Sequence, residues 1–235
     1  DFDWYRWRLV ILGGTIIGTI LLCAIFAPWV APYSPYDLDV VAMLQSPSGA
    51  HPLGTDELGR DLLSRTIYAA RISMEVAFIA AGVGLVFGTL IGVAAAYFGG
   101  LVDLILMRFM ELLFSFPAIL LAVVLMASLG TSILNAMIAI GIVFIPGFSR
   151  LARAATEVVL REQYVESARA IGMSHRRIVF VEILPNILAP LLVEAAVAFS
   201  YAILLESALS FLGLGAQPPE PSWGNMLNTG RGFMA

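Results

Sequence analysis

The side chains that could do acid–base, redox or metal chemistry are few and widely separated in this chain. His51 and His175 are its two histidines, and Cys23, inside an apolar stretch, is its one cysteine. A single Cys makes no disulfide framework, and two distant His residues lack the spacing of a zinc site. We therefore expect no catalytic residue, no metal site and no cofactor bound by this chain.

Basic side chains are the second group that could do chemistry, and all thirteen of them are Arg. A P-loop needs a Lys side chain to bind nucleotide phosphates, and the sequence contains no Lys. The chain is therefore not expected to bind ATP through a P-loop.

Six of the Arg residues lie in one polar island, residues 149–186, between two apolar stretches. The charged residues of this island are Arg150, Arg153, Arg161, Arg169, Arg176 and Arg177, with Glu157, Glu162, Glu166 and Glu182. So many charges cannot lie in hydrocarbon. The polar island must therefore contact solvent or a partner protein.

Helix-forming residues predict a helix over 154–170 within the polar island, supported by an i, i+4 pair of Glu157 with Arg161. Gly172 is expected to break that helix, and Ser174 can cap a second, shorter one. The expected result is a helix, a glycine turn and a short helix lying across one face of a membrane.

The composition indicates an all-α integral membrane protein. Hydrophobic residues make up 60% of the 235 residues and charged residues 13%, whereas soluble domains are about 45–50% apolar. Five spans are expected, at residues 9–30, 76–97, 104–129, 133–148 and 186–209. A cleaved signal peptide is the alternative for the first span, but its apolar part is too long and P-W-V-A-P-Y is a poor cleavage site.

Small residues and prolines predict how these spans pack. One i, i+4 row on the second span allows another helix to approach closely. The row consists of Ala80, Gly84, Gly88, Gly92 and Ala96. Pro117 and Pro146 in the third and fourth spans, and Pro185 at the start of the fifth, favour bends beside a cavity or a neighbouring helix.

The distribution of Arg predicts the orientation. Arg6 and Arg8 precede the first span, Arg108 opens the third, and the polar island carries six more, whereas residues 31–75 hold three Arg against six acids. Positive charge accumulates on the cytoplasmic side, so the N-terminus and the polar island are expected there. Five spans then leave the last residue outside, and a sixth span is expected to follow it.

Two motifs in the polar island, E-S-A-R-A-I-G at 166–172 and L-P at 184–185, resemble the "EAA" loop of inner-membrane subunits of binding-protein-dependent ABC importers. Further motifs extend the resemblance over nearly the whole chain. They are H-P-L-G-T-D-E-L-G-R-D at 51–61, A-R-I-S-M at 70–74, Y-F-G-G-L-V-D at 97–103 and E-S-A-L-S-F-L-G-L-G at 206–215. Together these motifs are similar to the second permease subunit of the dipeptide, oligopeptide and nickel importers. Ser167 and Glu182 depart from the family's pattern.

This resemblance implies a type I ABC importer permease fold with a cytoplasmic coupling helix, in a bacterial or archaeal inner membrane. The implied partners are a second homologous permease subunit, two ATP-binding subunits that hold ATP and Mg²⁺, an extracytoplasmic solute-binding protein and membrane lipid, with no nucleic acid. The residues implied to couple to the ATPases are Glu166, Ser167, Ala168, Arg169, Gly172, Ser174 and Arg176.

The expected organisation has three parts. Residues 1–50 form an anchor span and the start of an outer loop, 51–75 a scaffold segment facing the binding protein, and 76–235 the permease core. In the scaffold segment, Thr55 or Asp56 is expected to cap a short helix that leads into the second span.

Carboxylates inside spans are costly and are candidates for function. Glu194 and Glu206 are therefore candidates for the translocation path, and Phe116 is a further candidate. Helix capping or helix–helix hydrogen bonding is an equal alternative for Glu206, and Glu194 could instead bond to the partner permease. Arg108 and Glu111, at i, i+3, are expected to pair with each other.

Peptide import is the expected function, with nickel or another small solute as the alternative within the same class. A secondary transporter should show inverted repeats with broken helices in both halves, whereas the polar island occurs once. A membrane enzyme would need a convergent set of reactive groups at one depth, which His51, His175 and Cys23 do not provide. Glu166 and Arg169 could also be a solvated pair without a partner protein.

The Arg distribution makes a testable prediction about topology. In a Cys23→Ala background, a Cys at position 48 should react with a membrane-impermeant thiol reagent in right-side-out vesicles, and a Cys at position 174 should not. Labelling at 174 but not at 48 would reverse the orientation.

Overall fold

The computed structural model describes residues 4–233, and in that part of the chain the regular structure is helical apart from one isolated bridge between Thr55 and Asp61. Its α-helices are α1 (Trp4–Ile25), α2 (Ala27–Val30), α3 (Leu62–Phe98), α4 (Gly100–Phe114), α5 (Ala118–Leu129), α6 (Ile133–Val159), α7 (Gln163–Ala170), α8 (His175–Arg177), α9 (Leu184–Phe211) and α10 (Trp223–Arg231). A 3-10 helix covers Val40–Ala42, and a π-helical turn covers Ile178–Ile183. The predicted all-α fold is confirmed.

The chain divides into two compact units. The first unit is Asp1–Glu75 with Ser210–Ala235, and the second unit is Val76–Leu209. Helices lie at each of the five predicted spans, but their ends differ from the prediction.

Three helical stretches are long and apolar enough to cross a membrane, namely Leu62–Phe98, Ile133–Val159 and His175–Phe211. The pair of α4 and α5 makes a fourth if the two helices count as one span, and Val10–Ile25 is a shorter apolar helix. The chain is therefore a multi-pass membrane protein.

The first predicted span, residues 9–30, is interrupted. α1 ends at Ile25, Phe26 forms a turn, and the short α2 carries Pro28 in its first turn. Proline has no N–H to donate, so it fits the start of a helix better than its interior.

The second span starts earlier than predicted, because α3 is one helix of 37 residues. Residues 51–61 before it form turns. Asp61 caps α3, since its Oδ2 accepts hydrogen bonds from the backbone N–H of Ser64 at 2.8 Å and from the Ser64 hydroxyl at 2.7 Å. The expectation that Thr55 or Asp56 caps a separate short helix is therefore wrong.

Asp61 also joins the loop of the first unit to the start of α3. His51 Nδ1 lies 2.9 Å from Asp61 Oδ1, and Ser64 Oγ accepts a hydrogen bond from the backbone N–H of Tyr33 at 3.0 Å. Burial acts to raise the pKa of Asp61, but the hydrogen bonds from Ser64 and His51 outweigh it and hold that pKa below its ordinary value. The carboxylate is therefore ionised at neutral pH and remains an acceptor for the cap.

The third predicted span, residues 104–129, is broken near its middle. α4 ends at Phe114 and α5 begins after Pro117, and the two helices are bent by 93°. Pro117 cannot donate a backbone hydrogen bond to the preceding turn, which is why the break falls there. The bend predicted from Pro117 is confirmed.

The fourth span extends into the polar island, because α6 continues to Val159 with Pro146 inside it. Arg153 on this extension donates from Nε and Nη2 to the two oxygens of Asp103 on α4, at 2.6 and 2.7 Å. It also lies 2.9 Å from Glu157 Oε1. The predicted pair of Glu157 with Arg161 is therefore wrong, since the partner of Glu157 is one turn earlier.

The fifth span begins with the π-helical turn Ile178–Ile183, which leads directly into α9. A proline ring crowds the carbonyl of the residue four positions before it, and a wider turn relieves that contact. Asn186 Nδ2 donates to the carbonyl oxygen of Glu182 at 2.6 Å, close to Pro185. The helix therefore continues through Pro185 and does not end there.

The predicted row of small residues on α3 packs against α6 in the second unit. Gly84, Gly88 and Gly92 are all buried. A Cβ on Gly88 would lie 2.8 Å from the carbonyl oxygen of Ile145, and a Cβ on Gly92 would lie 2.7 Å from the Cβ of Ala152. Only residues without a side chain allow this approach. The prediction of a packing face against protein is confirmed.

Gly88→Leu should therefore disrupt the second unit. The new side chain meets the backbone of α6, and overpacking of this kind costs about 1–3 kcal/mol or more. The measurement is the thermal unfolding midpoint of the detergent-purified protein. The control is Leu90→Phe, because Leu90 is 53% exposed; equal midpoints for the two variants would contradict the packing described here.

Candidate functional site

The candidate site is the part of the polar island that joins α6 to the fifth span. We call residues 160–177 the connecting segment; it contains α7 and α8. α6 ends at Val159, and Glu162 is the extended N-cap residue of α7. The prediction of one helix over 154–170 is therefore wrong.

Because α6 ends before α7 begins, one side of α7 can face the other helices of the second unit. Val165 is 0% exposed and Ala168 is 5% exposed, and both belong to one buried apolar cluster. The cluster also includes Val93 of α3 and Ile183 of the π-helical turn. Burial of these apolar side chains fixes the connecting segment to the spans around it.

The other side of the connecting segment is exposed. Of the residues implied to couple to ATPases, the exposed ones are Glu166, Ser167, Arg169, Gly172, Ser174 and Arg176. Ala168 points the other way and is buried, so it can support the segment but cannot contact a partner directly. The structure thus places six of these seven residues on the exposed side.

Ile171 is a residue of this exposed side that the sequence analysis missed. Its side chain is 78% exposed, although it is large and apolar. An apolar side chain beside charged ones can contribute to the apolar centre of a protein contact. The signal in the sequence is an isolated apolar residue directly before the glycine that ends a charged helix.

Gly172 makes the turn that follows α7. Its φ is 77°, a left-handed conformation that L-residues with a side chain adopt only with strain. Its N–H donates to the carbonyl oxygen of Arg169 at 3.0 Å, and the N–H of Met173 donates to that of Ala168 at 3.0 Å. A Cβ on Gly172 would have open space around it. The requirement for Gly is therefore one of backbone conformation, and the predicted glycine turn is confirmed.

Ser174 occupies the N-cap position of α8, but its side chain makes no capping hydrogen bond. Ser174 therefore occupies the predicted cap position without making the capping hydrogen bond. Elsewhere on the segment, burial followed by the carboxylates of Glu162 and Glu182 raises the pKa of Tyr164 above its ordinary value. The phenol of Tyr164 is thus neutral at physiological pH.

The three residues expected in a translocation path are not brought together. Glu194 is half-buried and lines a cavity of about 210 Å³ in the second unit. Aromatic side chains form much of its wall, namely Phe114, Phe144, Phe148 and Tyr201. Phe116 is 58% exposed in the break between α4 and α5, and Glu206 is 1% exposed with the Ser207 hydroxyl 3.5 Å from its carboxylate.

The predicted pair of Arg108 and Glu111 is present, with 3.0 Å between Arg108 Nη1 and Glu111 Oε2. Both side chains are more than half exposed. The neighbouring Arg150 lies over the ring of Phe114, with its guanidinium carbon 3.6 Å from the ring centre.

Two family models match this chain. Residues 84–235 match the binding-protein-dependent transport system inner membrane component family. Residues 4–47 match the N-terminal transmembrane domain of oligopeptide transport permease C.

Several curated proteins are similar over most of their length. A dipeptide transport system permease protein of Alkalihalophilus pseudofirmus is 44% identical over 97% of this chain and 75% of the relative. A di/tripeptide transport system permease protein of Pseudomonas aeruginosa is 43% identical over 95% and 76%. A probable D,D-dipeptide transport system permease protein of Escherichia coli is 40% identical over 96% and 76%.

These matches agree with the motifs of the polar island and with the apolar helices. The chain therefore belongs to the family of inner-membrane components of binding-protein-dependent transport systems, and it is a permease subunit.

Proposed function

We propose that this chain is the second permease subunit of an ATP-driven importer of short peptides. The relatives named above are called dipeptide, di/tripeptide and D,D-dipeptide permeases. All three names describe peptides of two or three residues, which supports the same class of substrate for this chain. Nickel import remains the alternative within the family resemblance.

The complex that we propose has this chain paired with a second, homologous permease. In this complex the chain contributes five spans, with α1 as the first and the bent pair of α4 and α5 as the third. The N-terminus and the connecting segment lie in the cytoplasm of a bacterial or archaeal cell. A solute-binding protein docks on the outer face, and two ATPase subunits hold ATP and Mg²⁺ below.

The observation that carries the mechanism is that the connecting segment has one buried side and one exposed side. Val165 and Ala168 pack into the second unit, while Glu166, Arg169 and Ile171 are exposed. In our proposal the exposed side docks on an ATPase subunit, and the buried side transmits its displacement to the spans. Closure of the ATPases then selects one of two arrangements of the path, because docking contacts differ between the two states.

Glu194 is the residue that we propose for the path. A carboxylate in a cavity with aromatic walls is complementary to a cation, through charge and cation–π contacts. The α-ammonium group of a peptide is such a cation. Phe116 and Glu206 are placed less well for this role, since neither lines the cavity of Glu194.

Capture of the binding protein from a purified complex tests the substrate directly. Mass spectrometry of the solute released on denaturation should find peptides of two or a few residues. A nickel ion without peptide would leave the importer assignment intact and change the substrate.

Ile171→Asp should weaken docking of the ATPase subunits, because it places a charge on the exposed apolar contact. The ATPase retained on the affinity-purified permease should fall at least about tenfold, the loss that corresponds to ~1.4 kcal/mol. The control is Val41→Asp, since Val41 is 90% exposed in the 3-10 helix of the first unit. Full retention in the Ile171 variant would show that this side chain does not contact an ATPase.

Gly172→Val should disturb the turn after α7, at a cost of about 1–2 kcal/mol for a left-handed branched residue. Gly172→Asn is the matched variant, because Asn tolerates this conformation. We expect uptake per ATP hydrolysed to fall in the Val variant and to stay near wild type in the Asn variant. The measurement is peptide uptake and ATPase activity in one proteoliposome preparation, and identical ratios in both variants would contradict a rigid turn.

A further inference from the structure

Tyr97 contacts both helices of the connecting segment. Its hydroxyl lies 2.7 Å from Nδ1 of His175 on α8, and the two rings meet edge to face with centres 5.7 Å apart. The guanidinium carbon of Arg169 on α7 lies 5.6 Å from the centre of the Tyr97 ring. Tyr97 is half-buried and belongs to the last turn of α3.

These contacts add a third attachment to a segment that the chain itself ties only to α6 and the fifth span. The attachment reaches α3 at its end, since α3 stops at Phe98 and is followed by Gly99 and Gly100 with φ of 61° and 53°. Val93, one turn before Tyr97 in α3, lies in the same buried cluster as Val165 and also supports the segment. Tyr97 thus adds a polar contact to this apolar packing.

α3 also packs closely on α6. Its row of glycines allows backbone contact, so α3 and α6 are held together over several turns. A displacement of the connecting segment can therefore reach this pair of helices from two directions, through the chain from α6 and through Tyr97 from α3.

We propose that Tyr97 is a positioning residue that couples the connecting segment to α3, through its hydrogen bond to His175 and its contact with Arg169. This inference rests on the proposed docking of ATPase subunits on the segment. Without the bond, only apolar packing joins α7 to α3, and part of the displacement is lost as local movement of the segment.

The hydrogen bond persists in either form of the imidazole. Tyr97 donates to Nδ1 when that nitrogen is unprotonated, and Nδ1–H donates to the phenol oxygen when it carries the proton. Removal of one partner is therefore a cleaner test than a change of pH.

Tyr97→Phe keeps the ring and removes the hydroxyl. His175→Leu removes the other partner at an exposed position, so neither change threatens the fold. His175→Asn is the conservative variant, because its side-chain amide lies near the position of Nδ1. Tyr33→Phe is the control, since Tyr33 is an exposed tyrosine outside the connecting segment whose ring meets that of His51 and whose hydroxyl makes no hydrogen bond in the described structure.

The assay is peptide imported per ATP hydrolysed, in proteoliposomes of the full complex with loaded binding protein. We expect Tyr97→Phe and His175→Leu each to lower this ratio about two- to tenfold, the factor that one net hydrogen bond is worth. The double variant should be no worse than either single one, and His175→Asn should restore at least half of the ratio. Tyr33→Phe should leave it unchanged.

Hydrogen exchange gives a readout that does not depend on transport. Backbone amides of residues 163–177 should exchange faster in Tyr97→Phe than in wild type, and ATPase retention should be equal. If Tyr97→Phe keeps the wild-type ratio of peptide imported per ATP hydrolysed and the wild-type hydrogen exchange, Tyr97 does not couple the segment to α3. That result leaves the proposed function standing. Absence of binding-protein-stimulated uptake in the wild-type complex would instead overturn the proposed function.

Discussion

The close approach of α3 and α6 is the constraint on which the second unit depends. Lipid tails are as apolar as Leu side chains, so helices in a bilayer gain little from hydrophobic burial and associate through tight packing. Gly84, Gly88 and Gly92 supply that packing by leaving room for the α6 backbone. One buried apolar cluster includes Phe148 of α6, Val93 of α3 and Val165 of the connecting segment.

Packing against the spans makes the connecting segment rigid. Its α7 is only eight residues long, and an isolated helix of that length is not stable in water. Burial of Val165 and Ala168 against the spans holds it in place. A segment fixed in this way can carry a displacement, whereas a solvated loop would absorb it, and this difference separates a coupling element from a simple connector.

The fold class, the glycine row and the bend at Pro117 could be predicted because each depends on local residue types and spacing. The ends of α3 and α6 could not, since apolar runs mark where hydrocarbon begins and not where a helix stops. The partner of Glu157 depends on which side of α6 faces Asp103, which is a tertiary property. The exposure of Ile171 and the contacts of Tyr97 were missed for the same reason, because both depend on how the helices pack and not on one stretch of sequence.

In the proposed mechanism the connecting segment moves with the spans and not independently of them. Spin labels at positions 170 and 90, in a Cys23→Ala background, report the distance between the segment and α3 in the reconstituted complex. Rigid attachment of the segment to α3 predicts the same distance in the nucleotide-free and the vanadate-trapped states while transport remains coupled. A distance that changes between these states by more than the width of its distribution would rule out rigid attachment.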